Sequence, residues 1–225
     1  MNVLAVGPHP DDIEIGMGGT VLVLREAGHE VVLCDLTNGE PTPIGTPERR
    51  AREAAEAAGI LGVRRITLEM PNRTLSDTVE NRQRVAEVIR AVRPEVLFVP
   101  YWEDAHPDHR AAAELCEAAR FYAKLTKTSI PGDPWYPGRV IHFLCTHYEL
   151  HVRPSFVVDI TAQIETKIRA VAAYGSQFGP ERGNEGFLDE LRAADRYYGT
   201  LIRRGYGEPF VMREVVGLRG LDQFV

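Results

Sequence analysis

Short apolar runs alternate with helix-patterned stretches along most of this chain, and that alternation constrains its fold more than any other feature. Residues 2–6, 31–34, 65–68, 96–99, 140–144 and 156–158 read as strands. Between them, residues 18–27 carry Val21, Leu24 and Ala27 at spacing three, with Gly28 as a stop. Thr46-Pro47 opens a second helix as N-cap and first helical residue, with Glu48 in its first turn, and Gly59 is read as its end. Further helices are expected over 77–92, 107–123 and 164–174. Strands joined through helices imply parallel pairing with right-handed crossovers. The expected fold is therefore α/β, a three-layer Rossmann-like, mostly parallel sheet with helices on both faces. The 225 residues are read as one domain, 1–225, with the Gly-rich stretch 175–225 contributing loops and late elements.

Ligands of such sheets bind beyond the carboxyl ends of the strands. Two motifs fall at that edge: Pro8-His9-Pro10-Asp11-Asp12 after the first run, and His106-Pro107-Asp108-His109 after the fourth. His9 and Asp12 lie three residues apart in a turn stiffened by Pro8 and Pro10, so both can reach one ion. His106 and His109, at spacing three on a helix start, face the same way. Helix capping accounts for Pro107 and Asp108 but not for two histidines. Three imidazoles and three carboxylates suffice for a metal site with an open position and acid–base groups beside it. Zn2+ is the first expectation, and Fe2+ or Mn2+ suit the same donors. Spacing alone does not separate ligands from acid–base groups.

The net charge of −6 argues against nucleic acid or an anionic membrane as the main partner. The basic run Arg49-Arg50-Ala51-Arg52 is followed by Glu53 and Glu56 and reads first as a solvated helix face. Cys34, Cys116 and Cys145 are far apart with no C-x-x-C pair, so reduced thiols in a cytoplasmic protein are expected. Neither a leader pattern nor an apolar stretch of about 20 residues is read in the chain. A dinucleotide fold is disfavoured, because the phosphate-loop position holds His-Pro-Asp-Asp and there is no G-x-G-x-x-G. A metal-binding protein without catalysis is the other rival, and turnover separates it from an enzyme.

Residues 7–12 with Glu14-Ile15-Gly16, and then His106-Pro107-Asp108-His109, resemble the LmbE/PIG-L superfamily of zinc-dependent N-deacetylases. Leu36–Glu40, Tyr174–Phe178 and Arg196–Gly199 support the resemblance, which spans nearly the full length. The run Asp-Asp-Ile-Glu-Ile-Gly-Met-Gly-Gly is most similar to the bacillithiol branch, which acts on N-acetylglucosaminyl-malate; the alternative is another N-acetyl sugar, of chitobiose or mycothiol-precursor type, or a thiol conjugate cleaved by an amidase. The resemblance implies His9, Asp12 and His109 as metal ligands and Asp11 as general base. It also implies a cationic His106 at the transition state and Asp108 orienting His106. Arg50 is implied as a substrate residue, with Tyr197 and Gln177 as further candidates. The implied partner is a small N-acetylated sugar, and the implied assembly a homo-oligomer, hexameric in that branch.

Overall fold

The computed structural model describes residues 1–147, 150–184, 186–217 and 220. Its elements are β1 (Asn2–Gly7), α1 (Asp12–Glu26), β2 (Glu30–Thr37), α2 (Pro47–Leu61), β3 (Arg64–Met70), α3 (Val79–Val92), β4 (Val96–Pro100) and α4 (Pro107–Ala123). Then follow β5 (Arg139–Phe143), β6 (Phe156–Asp159), α5 (Ile164–Ala172), the single turn α6 (Gly175–Phe178), α7 (Phe187–Leu201) and β7 (Gly207–Val211). One sheet runs in the order β3-β2-β1-β4-β5-β7-β6. The β1–β2, β1–β4, β2–β3 and β4–β5 pairs are parallel, and β7 is antiparallel to both its neighbours. The α/β, mostly parallel expectation is met.

Alternation along the strands builds two cores. Leu4 and Val6 face Val85, Ile89, Ala112 and Leu115 of α3 and α4. Val3 and Ala5 face Ile13, Met17 and Val21 of α1 and Ala170 of α5. Both faces of the central strands are therefore covered, which is why those strands read as unbroken apolar runs.

Two boundaries and two elements depart from the sequence expectation. Helix α1 begins at Asp12, well before Gly18, and has a kink at Met17 (φ −154°, ψ 19°). Its glycines are contact points rather than breaks: a Cβ on Gly16 would stand 2.4 Å from the Phe143 ring, and one on Gly19 2.7 Å from Ile160. Helix α2 passes through Gly59 and ends where Gly62 adopts φ 68°. Helix α7 and strand β7 lie in the stretch read as loops and late elements, where neither was located. Polar Asp195 interrupts the buried stripe of α7, and β7 is the short run Gly-Glu-Pro-Phe-Val. The structure shows why both are tolerated. Buried Lys167 pairs with Asp195 at 2.7 Å and with Glu208 at 2.8 Å. Glu208 in turn accepts hydrogen bonds from the backbone N–H of Gly19 (2.9 Å) and Thr20 (2.6 Å), past the kink. Of the 175–225 stretch, residues 185, 218–219 and 221–225 lie outside the described residues. Among the described residues, no helix is long and apolar enough to cross a membrane.

The strand order places the site. The sheet grows outward in both directions from the β1–β4 pair, so the connections after these strands diverge to opposite faces and open a crevice. The turn after β1 carries His9–Asp12, and the loop after β4 carries His106–His109. The two motifs, far apart in sequence, meet at that crevice.

Candidate metal centre

The turn after β1 is held in an unusual shape. Asp11 has φ 117°, a region that L residues rarely adopt. The Arg50 guanidinium fixes the turn from α2, donating to the Pro10 carbonyl and, at 3.2 Å, to Asp11 Oδ2. Arg50 is buried, 2% exposed, unlike the solvated face expected for its run.

Asp12 is the hub of the cluster. Its Oδ2 lies 3.1 Å from His9 Nδ1, and its Oδ1 lies 3.3 Å from His109 Nε2. The Cys145 thiol also donates to Asp12 Oδ1, at 3.3 Å. The ligand atoms of His9, Asp12 and His109 all fall within 4.8 Å of one another, so these three residues could hold a metal ion. The sets His9/His106/Asp108 and Asp104/His109/His147 meet the same distance limit. One observation favours the first: buried His109 Nε2 has no hydrogen-bond partner among the described residues, although it faces the Asp12 carboxylate. A cation between them would supply the missing partner, and two imidazoles with one carboxylate are donors suited to zinc.

The electrostatics agree. Burial opposes charge on His109, but Asp12 and Asp104 outweigh it and raise its pKa to about 10. Burial likewise opposes charge on His9, and Asp108 and Asp12 raise it to about 9. The carboxylates draw positive charge to this spot, whether as a proton or as a metal ion. Burial lifts Asp11 to about 6, with neighbouring Asp12 pushing the same way and Arg50 holding it down.

Asp108 reaches His106 through its backbone N–H and His9 through its carboxylate. The Asp108 carboxylate does not hydrogen-bond to His106. Its Oδ2 lies 3.2 Å from His9 Nε2, and its oxygens accept from the backbone N–H of Arg73 (2.7 Å) and Leu75 (3.2 Å). Asp108 thus steadies the His9 ring. Burial and the neighbouring His9 and His109 lower the pKa of His106 to about 4. Its Nδ1 accepts from the Asp108 backbone N–H at 3.1 Å, so its proton sits on Nε2.

The cluster forms the floor of a pocket of about 820 Å3. Gln177 and Arg50 line it, together with Arg73, His147, Arg182, Glu190 and Tyr198. Tyr197 stands apart from this lining and is 51% exposed, because the phase of α7 turns Leu191, Ala194 and Tyr198 toward the pocket. Asp104 and Cys145 escaped sequence reasoning, and His147 was read as a structural or surface residue rather than as pocket lining. Asp104 lies two residues before His106 and offered the one local signal; the other two depend on where β5 ends. Beneath the floor, Arg65 bridges buried Glu14 and Asp35, each at 2.6 Å, and the Tyr174 hydroxyl donates to Glu14 at 2.9 Å.

Residues 4–120 match the family model PIG-L, described as GlcNAc-PI de-N-acetylase. The chain is similar to the diacetylchitobiose deacetylase of Thermococcus kodakarensis, 35% identical over 224 residues that cover 92% of this chain and 80% of that protein. It is 25% identical over 193 residues to a probable N-acetyl-alpha-D-glucosaminyl L-malate deacetylase 2 of Bacillus cereus, covering 78% of this chain and 83% of that one. A conserved protein of Thermus thermophilus has the same fold, with a TM-score of 0.88 and 38% identity over 97% of this chain and 98% of that chain. These similarities define the family and do not single out the bacillithiol branch.

Proposed function

The chain belongs to the PIG-L family, the GlcNAc-PI de-N-acetylases, and from that premise we propose that its pocket removes the acetyl group from an N-acetylated sugar conjugate in a zinc-dependent hydrolysis. The observation that carries this reading is the convergence of His9, Asp12 and His109 around the unpartnered His109 Nε2, with Asp11 beside them. A divalent metal held there supplies Lewis acidity toward the acetyl carbonyl and the attacking water. Zn2+ is the first candidate, and Fe2+ or Mn2+ fit the same donors.

The protein groups divide the remaining work. Asp11 has a pKa of about 6, so near neutral pH it is ionised and still basic enough to take the proton of the attacking water. It then delivers that proton to the departing amine nitrogen, and acetate and the free amino sugar leave. Neutral His106 donates its Nε2–H to the oxygen that gains negative charge, in the manner of an oxyanion hole. Arg50 keeps Asp11 ionised, and Asp108 fixes the His9 ring. Gln177 contributes to the sugar-facing wall, and Tyr197, at the surface, has no part in this version of the site.

For the aglycone, N-acetylglucosaminyl-malate is our first reading, supported by Arg73 and Arg182 on the pocket lining, where a carboxylate would find a guanidinium. A chitobiose-type substrate is the second reading, favoured by the 35% identity to the Thermococcus protein. We also propose a homo-oligomer, hexameric as the family resemblance implies, which light scattering tests. Acetate release from N-acetylglucosaminyl-malate, N,N'-diacetylchitobiose and N-acetylglucosamine decides the substrate. At least tenfold preference for the malate conjugate upholds the first reading, and preference for chitobiose replaces it with the second.

A further inference from the structure

Asp104 has no role in the chemistry above, yet it is 1% exposed and its carboxylate contacts His106, His109 and His147. Its Oδ2 lies 2.8 Å from His109 Nδ1. Its Oδ1 accepts from the backbone N–H of His106 at 2.8 Å and from that of His147 at 3.1 Å. The His147 ring, at the pocket mouth, brings Nδ1 to 3.4 Å of the same oxygen.

The partners fix the proton. His109 Nδ1 sits between two oxygens, Asp104 Oδ2 and the Cys145 carbonyl at 3.0 Å, and both are acceptors only. Nδ1 therefore carries hydrogen, and when the ring is neutral its lone pair is on Nε2. That is the buried atom with no hydrogen-bond partner among the described residues, aimed at Asp12. We infer that Asp104 is the positioning residue of the metal centre: it selects the His109 tautomer and orientation that present Nε2 to the ion, and it ties the loops after β4 and β5 to that ring. The inference rests on the proposed metal role of His9, Asp12 and His109.

A carboxylate is needed for a specific reason. Both backbone groups on Oδ1 are donors, and the ring N–H on Oδ2 is a third. An amide at this position must turn its NH2 toward one of these donors. Asp104→Asn therefore either loosens the two backbone bonds or sets a donor against His109 Nδ1, which favours the tautomer with hydrogen on the metal-facing nitrogen.

The test is zinc affinity, measured by chelator competition on the folded wild-type protein and on Asp104→Asn, with circular dichroism confirming the fold. The expected result is a roughly 10- to 100-fold weaker zinc Kd in the variant, together with an altered visible spectrum of the cobalt-loaded form. Wild-type protein that binds one zinc tightly, with Asp104→Asn within twofold of it, overturns the role of Asp104 and leaves the metal site standing. Wild-type protein that takes up no zinc overturns the metal reading and the inference with it. Should Asp104→Asn not fold, 15N spectra of the wild-type zinc-loaded protein decide the matter. His109 protonated at Nδ1 and ligated through Nε2 supports the inference, and ligation through Nδ1 refutes it.

Discussion

Replacing Arg50 by glutamine separates two accounts of that residue, because each moves a different kinetic parameter. Glutamine keeps a donor for the Pro10 carbonyl but removes the cation 3.2 Å from Asp11 Oδ2. Burial already lifts Asp11 to about 6, and Arg50 is the largest influence holding it down. An opposite charge at this range lowers a carboxylate by roughly 1 to 3 pH units, so its loss should raise Asp11 by a similar amount. The sign follows from the chemistry: the base works ionised, so activity falls as pH drops through the Asp11 pKa. The wild-type acid limb should lie near pH 6. In Arg50→Gln a rise of roughly 1.5 pH units, about 2 kcal/mol, cuts the ionised fraction at pH 7 from about nine-tenths to about a quarter. The expected loss from ionisation alone is about fourfold at pH 7, recovered at about pH 9. The assay is the pH dependence of kcat/KM for amine release from an N-acetyl sugar conjugate. An acid limb unmoved at pH 6, with KM raised for a carboxylate-bearing substrate, would refute the electrostatic role and return Arg50 to substrate binding.

Other expected outcomes are simpler. Asp11→Asn should lower kcat on the order of 100-fold or more while the protein retains its metal, read by metal analysis of the same sample. Gly16→Ala forces a Cβ to within 2.4 Å of the Phe143 ring, and overpacking of this kind costs about 1–3 kcal/mol, visible in chemical denaturation. Arg65→Met strands buried Glu14 and Asp35 without their shared cation; breaking such a group costs about 3–5 kcal/mol, and an unchanged denaturation midpoint would show that the network carries no weight.

The legible parts of the molecule were those with local causes. Apolar runs bounded by caps and glycines located β1 to β6, most plainly β1, β2 and β4, which are central parallel strands covered on both faces. The Thr46-Pro47 start of α2 was readable for the same reason: the Thr46 side chain accepts from the Arg49 N–H at 3.2 Å. The parts that escaped depend on partners distant in sequence. Helix α7 carries Asp195 on its buried face, which is stable only because Lys167 reaches it from α5. Helix α1 was expected to start only at Gly18, and the close contacts of Gly16 with Phe143 and of Gly19 with Ile160 have no sequence signature. At the site, the two motifs announced their meeting through the sheet topology. Which carboxylate faces which imidazole was not readable: the spacing of Asp108 from His106 says nothing of the 3.2 Å approach to His9. Asp104 is a turn residue in sequence and a tether of His109 in space.

The account turns on whether this pocket is a metal-dependent deacetylase, and acetate release tests that most directly. Zinc-loaded protein, the same protein after chelation, and Asp11→Asn would each be given N-acetylglucosaminyl-malate and N,N'-diacetylchitobiose. The account predicts equal amounts of acetate and free amine from at least one substrate, abolished by chelation, restored by zinc and nearly lost in Asp11→Asn. Zinc bound in the wild-type protein with no acetate from any N-acetylated sugar would contradict it.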